Sequence, residues 1–411
     1  MKTNIAVFFG GRSVEHEVAV ISAVQAMNFM DTEKYNIIPV YITKSGEMYH
    51  SENMKNIDEF RNIPALLEKS QNVTMVKQGD KFNIVELKKG LFKKVISSVD
   101  IAFPVVHGTN CEDGSVVGWF ELLGIPYASC DVLSAAVGMD KAVCKYVLQK
   151  AGVPVLDCVQ FYAKEYVAKK EGILKEIEDK FGYPVIVKPA NLGSSVGISK
   201  ADDKDELISS VKDAMNYASK IIVEPAVTEL RELNCSVVGD TDDCETSVIE
   251  EPVMTGKILS YDDKYKGGEK SAKGSKGVKG GETAVGSKSS GMASLSRKIP
   301  ADITDKIKKD VETYAEKTFK ALGCNGVVRI DFLYDTAKDK VYVNEINTIP
   351  GSLSFYLWEP KGVKYKTLLD RIIELGFKRA RTKENLKFSF DTNILENSMS
   401  FGQKGSKGSK I

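Results

Sequence analysis

Four residues near the end of the chain have the types and spacing to hold a cation. GVVRIDFLYD (326–335) and KVYVNEIN (340–347) are rich in β-branched and aromatic residues and flank a short polar turn, which predicts a hairpin. Side chains two apart on a strand share a face. Arg329 and Asp331 therefore project together, and so do Glu345 and Asn347 on the partner strand. Two carboxylates and an amide are hard oxygen donors, suited to Mg²⁺ bridging substrate phosphates, while a neighbouring guanidinium stabilises developing negative charge. Any one of these residues alone reads as an ordinary surface charge. All four together, followed by the turn TIPGS (348–352), favour a metal site over a salt-bridge cluster.

Three further segments carry possible chemistry. The loop NLGSSVG (191–197) follows the apolar run YPVIVKPA (183–190); its small residues let backbone N–H groups approach phosphate oxygens. Lys188 lies inside that run, where a buried ammonium needs a partner charge. SVEHE (13–17) places acids at the end of the first strand, where they cap a helix or bind a substrate ammonium. HGTNCEDG (107–114) mixes an imidazole, two acids and two glycines; Cys111 has no evident paired histidine and is no nucleophile. GETAVGSK (281–288) puts Ser287 where a P-loop needs lysine, and FFGGRS (8–13) is not a dinucleotide fingerprint.

The elements that must position these residues follow from the apolar pattern. Strands at 4–9, 36–43 and 99–108 alternate with a helix at 17–30, which implies a parallel sheet covered by helices. A second unit begins near Asp131, with one helix over 134–152 and strands at 183–190 and 220–227. A third starts near 230. Its clearest helix, 302–323, keeps Ile303, Ile307, Val311, Tyr314 and Leu322 on one stripe and stops at Gly323. The Gly/Lys/Ser-rich segment 266–298 and the ending GQKGSKGSKI bury too little apolar surface to offset ordering entropy.

The 411 residues suggest two or three domains, and 43% apolar with 27% charged residues is ordinary globular composition. A net charge of +1 gives no reason to expect nucleic acid or an anionic membrane as partner. No apolar run approaches a membrane span, and the N-terminus is too short in apolar residues for a signal peptide. Seven scattered cysteines without C-x-x-C argue against a disulfide framework or structural zinc and favour a reducing cytoplasm.

Taken in order, GGRSVEHEVAVISA, HGTNCEDGSVVGWFELLGIPY, SAAVGMDK, VIVKPANLGSSVG, IIVEPAV, YDDKY, VVRIDF and NEINTIPG resemble the D-alanine–D-alanine ligase family of ATP-grasp enzymes over about residues 1–376. The resemblance implies an α/β, three-domain ATP-grasp fold. Residues 1–128 would form an N-terminal parallel-sheet domain, 129–227 a central domain and 228–376 a C-terminal domain, with 377–411 a tail largely disordered at its end. ATP would lie between the central and C-terminal domains. Lys141, Lys188 and Lys264 would meet its phosphates, with Ser194, Ser195 and neighbouring amides covering them. Glu224 and the backbone of Pro225, Ala226 and Val227 would read adenine, and Glu232 the ribose. Asp331, Glu345 and Asn347 would hold two Mg²⁺ ions, with Mn²⁺ as an alternative. Glu15 would take the first substrate's ammonium, with His107 near its carboxylate. Arg329 and the Gly351 N–H would stabilise the oxyanion, and Tyr265 with Glu15 and Ser194 would fix a lid. The resemblance further implies a cytoplasmic homodimer acting on small molecules, making D-Ala-D-Ala for peptidoglycan precursors.

The chain departs from the family pattern twice. Against that pattern, about two dozen Gly/Lys/Ser-rich residues are inserted after Tyr265. In NTIPGSLSFYLWEP (347–360), Tyr356 stands where a serine usually binds the second substrate, while Leu357 keeps the apolar place. That leaves two rivals: a ligase joining D-alanine to another amino acid such as D-serine, and a non-catalytic ATP- or anion-binding protein.

Overall fold

The computed structural model describes residues 2–87, 94–193, 196–252 and 297–388, whose strands gather into three sheets. The first contains β1 (Thr3–Gly10), β2 (Tyr35–Ile42), β3 (Met48–His50), β4 (Gln71–Gln78), β5 (Lys81–Glu86), β6 (Val95–Val99) and β7 (Ile101–Val106). Its order is β6-β5-β4-β3-β2-β1-β7. β1 lies parallel between β2 and β7, which explains why Ile5–Phe9 is an unbroken apolar run: both faces are covered. The helix His16–Phe29 covers one of them. The parallel sheet expected from the alternation is therefore a mixed one, extended by antiparallel β3–β6.

The second sheet is antiparallel, in the order β10-β9-β11-β8: β8 (Val159–Tyr162), β9 (Val185–Pro189), β10 (Ser199–Ala201) and β11 (Lys220–Pro225). The third runs β14-β13-β12-β15-β16: β12 (Leu230–Gly239), β13 (Cys244–Pro252), β14 (Arg297–Lys298), β15 (Gly326–Asp335) and β16 (Lys340–Asn347). The helix Asp305–Ala321 buries Ile307, Val311, Ala315 and Phe319 against it, as the stripe predicts. The 266–298 segment lies outside the described residues except for Arg297 and Lys298, which form β14.

Two expectations are corrected. The single helix over 134–152 is two helices, Val132–Met139 and Lys141–Lys150. Asp140 between them is extended (φ −87°, ψ 100°), and its carboxylate accepts the Ala142 and Val143 N–H groups. An aspartate that can cap competes with helix continuation. The break makes Lys141 the first residue of a new helix. The boundary expected between 376 and the tail falls inside the helix Tyr365–Glu384. Leu368, Leu369, Ile372 and Ile373 of that helix join a core shared with β1, β7 and the helix His16–Phe29. Arg379 donates to the Tyr127 and Ser129 carbonyls. Residues 389–411 lie outside the described residues.

Gly376 makes this last packing possible. A Cβ there would stand 2.8 Å from the Tyr127 carbonyl oxygen and 3.0 Å from Ala128 Cα, both backbone atoms. Gly376→Ala should therefore destabilise the protein by about 1–3 kcal/mol through overpacking, despite alanine's better helix propensity. A urea unfolding midpoint equal to or above wild type would contradict the close approach.

Candidate active site

The hairpin register brings all four predicted residues together: Arg329 pairs with Asn347 and Asp331 with Glu345. The Arg329 guanidinium donates to both Asp331 oxygens, Nε to Oδ1 at 2.6 Å and Nη2 to Oδ2 at 2.7 Å. Asn347 Nδ2 donates to Asp331 Oδ2 at 3.2 Å. Lys141 Nζ lies 3.0 Å from Glu345 Oε2 and also donates to the Leu192 carbonyl. A bulge follows Asp331: Phe332 pairs with Val343, so Asn344 is one extra residue. Asn344 and Glu345 consequently both line the same cleft. Asn344 was not foreseen, because nothing in the local sequence announces the bulge.

That cleft, of about 570 Å³, separates the second and third sheets. Leu156, Ile186, Ile198, Phe332 and Leu333 contribute apolar walls, with Pro225, Ala226, Val227 and Glu232 also lining it. Lys141, Lys188, Asp331 and Glu345 also line it. Apolar walls beside clustered charge suit a flat heterocycle carrying a polyanion. Glu224, only 1% exposed, is gripped from two sides: Lys188 Nζ lies 2.7 Å from Oε2 and Lys145 Nζ 2.8 Å from Oε1. Burial is the largest influence on this carboxyl and pushes it up, but the two ammonium groups outweigh it and hold the group down at about 2. Lys188 also donates to Asn344 Oδ1 and Lys145 to the Leu156 carbonyl. In the sequence Lys145 is simply one more lysine on a helix, with no local signal of its role. Ser194, Ser195, Lys264 and Tyr265 lie outside the described residues.

A second, smaller pocket adjoins the cleft and shares Lys141 and Glu345 with it; Glu15, Glu112, Gly193 and Asn347 complete the part that matters here. Glu15 is buried close to two glycines. A Cβ on Gly108 or Gly193 would stand 2.6 or 2.7 Å from its Oε2. Glu112 accepts the Ile349 N–H at 2.8 Å and the Gly108 N–H at 3.3 Å. Burial, reinforced by the Glu15 charge, pushes the Glu112 carboxyl up to about 8.

His107 is placed behind this pocket rather than in it. Its Nδ1 lies 2.8 Å from the Ile349 carbonyl oxygen and its Nε2 3.0 Å from Ser22 Oγ. The carbonyl can only accept, so Nδ1 carries the proton and Nε2 accepts from the serine hydroxyl. Burial holds the ring down at about 4. Both nitrogens are thus engaged by protein groups, unlike the substrate contact expected of His107. Tyr356 also points away from the expected role: its hydroxyl donates to Glu250 Oε1 at 3.2 Å, and its ring lies under Arg297, 4.3 Å from guanidinium carbon to centroid. Leu357 is fully buried in the core. Gly351 opens the segment Gly351–Leu357, which follows the end of β16 at Asn347 after the link 348–350.

The donor set fits Mg²⁺. Among the described residues no three His, Cys, Asp or Glu side chains cluster as a cage. Two carboxylates and an amide leave coordination places for phosphate oxygens and water, as Mg²⁺ sites usually do.

Family models describe two parts of the chain: residues 4–130 match "D-ala D-ala ligase N-terminus", and 147–279 with 285–374 match "D-ala D-ala ligase C-terminus". A D-alanine–D-alanine ligase of Thermosipho melanesiensis is 38% identical over 395 residues, covering 96% of this chain and 98% of the relative. One from Acetivibrio thermocellus is 37% identical over 403 residues, covering 94% and 98%. Among solved structures, a D-alanine–D-alanine ligase from Coxiella burnetii superposes with a TM-score of 0.73 at 27% identity, covering 97% of this chain and 99% of that one. A D-Ala:D-Ser ligase from Enterococcus faecalis superposes at 0.72 and 31% identity, covering 92% and 100%.

Glu112 carries a pH signature. Its carboxyl, held at about 8 against an ordinary 4.5, keeps a proton in the folded state that the unfolded chain has lost across that interval. The stability this contributes is complete below the unfolded value and is lost as pH rises through the folded one. Glu112→Gln cannot titrate, so wild type should lose stability relative to the variant between about pH 5 and 8. Thermal midpoints of the two proteins that keep a constant difference over that range would contradict the assignment.

Proposed function

Because the chain belongs to the D-alanine–D-alanine ligase family, we propose that it is an ATP-dependent ligase joining two D-alanine molecules into the dipeptide used in peptidoglycan precursors. The observation that carries this reading is the shared wall. One cleft suited to a nucleotide and one small pocket holding Glu15 meet at Lys141 and Glu345. A phosphoryl donor and an amino-acid carboxylate placed on the two sides of that wall would face each other.

The chemistry follows from charge. A carboxylate is a poor acyl donor, so the γ-phosphate of ATP is first transferred to the carboxylate of one D-alanine. The amine of the second attacks the acyl phosphate carbon, and the tetrahedral adduct expels phosphate. Glu15 holds the first ammonium. Arg329 and the Gly351 N–H meet the developing oxyanion. Lys141 and Lys188 turn to the phosphates, with Ser194, Ser195 and Lys264 assigned the same task. Glu224 and the 225–227 backbone read adenine, and Glu232 the ribose. Asp331, Glu345 and Asn347 would hold two Mg²⁺ ions, which when bound offset charge on the phosphate oxygens. Tyr265, with Glu15 and Ser194, closes a lid that excludes water.

A second reading changes only the acceptor, to D-serine or a similar amino acid. Its support is that Tyr356 stands where the family pattern has a serine, together with the likeness to a D-Ala:D-Ser ligase. The non-catalytic reading falls with family membership. A cytoplasmic homodimer completes the proposal. Among the described residues no helix is long and apolar enough to cross a membrane.

Purified protein with Mg²⁺-ATP and D-alanine should release phosphate and yield D-Ala-D-Ala by mass, and Glu345→Gln should abolish both. With equimolar D-alanine and D-serine, a product dominated by D-Ala-D-Ser would establish the second reading. No dipeptide from either mixture would overturn the proposal.

A further inference from the structure

Directly after Gly351, three consecutive residues occupy a backbone region that side chains avoid. Ser352, Leu353 and Ser354 have φ of +52°, +50° and +52°. Residues with a Cβ visit this left-handed region singly, so a run of three is strained and persists only where the surroundings hold it. Here the hold comes from the other end of the chain. The Ser352 N–H donates to Ser22 Oγ at 2.9 Å, and the Ser352 hydroxyl donates to Gln25 Oε1 at 2.8 Å; both acceptors sit on the helix His16–Phe29. The Ser22 hydroxyl donates onward to His107 Nε2, whose Nδ1–H returns to the Ile349 carbonyl. Glu112 takes the Ile349 N–H. Ser22, His107 and Glu112 are all buried. The far end of the strained run contributes little, since the buried Ser354 hydroxyl finds no partner.

We propose that Ser22, His107 and Glu112 form an interdomain clasp that holds the left-handed turn in strain and so aims the Gly351 N–H. They are positioning residues rather than substrate ligands. The inference rests on the oxyanion role given to Gly351 above. It explains why an imidazole and a carboxyl near the reaction site each make one hydrogen bond with the Ile349 backbone.

Ser22→Ala removes both the acceptor for Ser352 and the donor to His107. The expected result is a fall in kcat of about 100-fold, the scale of an ångström-sized misplacement, with the KM for ATP unchanged because the nucleotide cleft touches none of the clasp residues. Glycine adopts the left-handed conformation without penalty. Adding Ser354→Gly to Ser22→Ala should therefore restore most of the lost kcat, which a simple packing defect would not allow. Hydrogen exchange of the amides in 349–357 should rise in Ser22→Ala and return in the double variant. An unchanged kcat in Ser22→Ala, or a loss that Ser354→Gly leaves in place, overturns the clasp. Should wild-type protein make no dipeptide at all, the functional reading fails separately; exchange then decides the clasp, and equal exchange in wild type and Ser22→Ala overturns it.

Discussion

Glu224 can be buried only because two ammonium groups are buried with it. Taking a carboxylate out of water costs several kcal/mol unless partner charges and hydrogen bonds compensate; Lys145 and Lys188 supply the charges at 2.8 and 2.7 Å, and Lys188 also donates a hydrogen bond. The same constraint recurs along the cleft: Lys141 pairs with Glu345, and Arg329 with Asp331. In the proposed reaction these pairs exchange partners. Lys188 can turn to a phosphate without orphaning Glu224, because Lys145 stays behind, tied to the Leu156 carbonyl. Lys141 can leave Glu345 when a metal ion takes its place. Nucleotide binding then swaps one set of compensated charges for another, and no stage requires a bare buried charge.

The fold serves this exchange by fixing where each charge sits. Antiparallel pairing of β15 with β16 sets Arg329 opposite Asn347 and Asp331 opposite Glu345, and one bulge turns Asn344 into the same cleft. The break at Asp140 starts a helix at Lys141 and carries Lys145 one turn further along it. The first sheet contributes through the turn 348–352, which is bonded to Ser22, His107 and Glu112 rather than left to its own conformational preference. In the proposed role, an oxyanion donor fixed in this way would need no reorganisation during reaction, and such electrostatic preorganisation is commonly a large part of catalysis.

Much of this was legible from local pattern. The hairpin could be read because strand alternation has a period of two, and Asp305–Ala321 because its stripe is long and regular. Ordered motifs carried the family. What escaped reading depends on distant partners or on single-residue irregularities. Asp140 sits within a helical pattern, yet its side chain caps the next helix. Asn344 reaches the cleft only through a bulge. Glu112 looks like one acid in a polar loop until Ile349, 237 residues away, is brought beside it. His107 reads from the sequence as a substrate contact, whereas both of its ring nitrogens face protein groups brought in from elsewhere in the chain. The antiparallel strands β3–β6 and the final turns of the helix Tyr365–Glu384 likewise owe their structure to a sheet edge and a shared core, neither of which is local.

The most direct measurement is a structure of the protein with Mg²⁺ and a non-hydrolysable ATP analogue. Partner exchange predicts Lys188 Nζ on a phosphate oxygen and out of ion-pair reach of Glu224, Lys145 still against Glu224, and Glu345 on a metal ion in place of Lys141. A bound nucleotide with both lysines still on Glu224 and Lys141 still on Glu345 would contradict it.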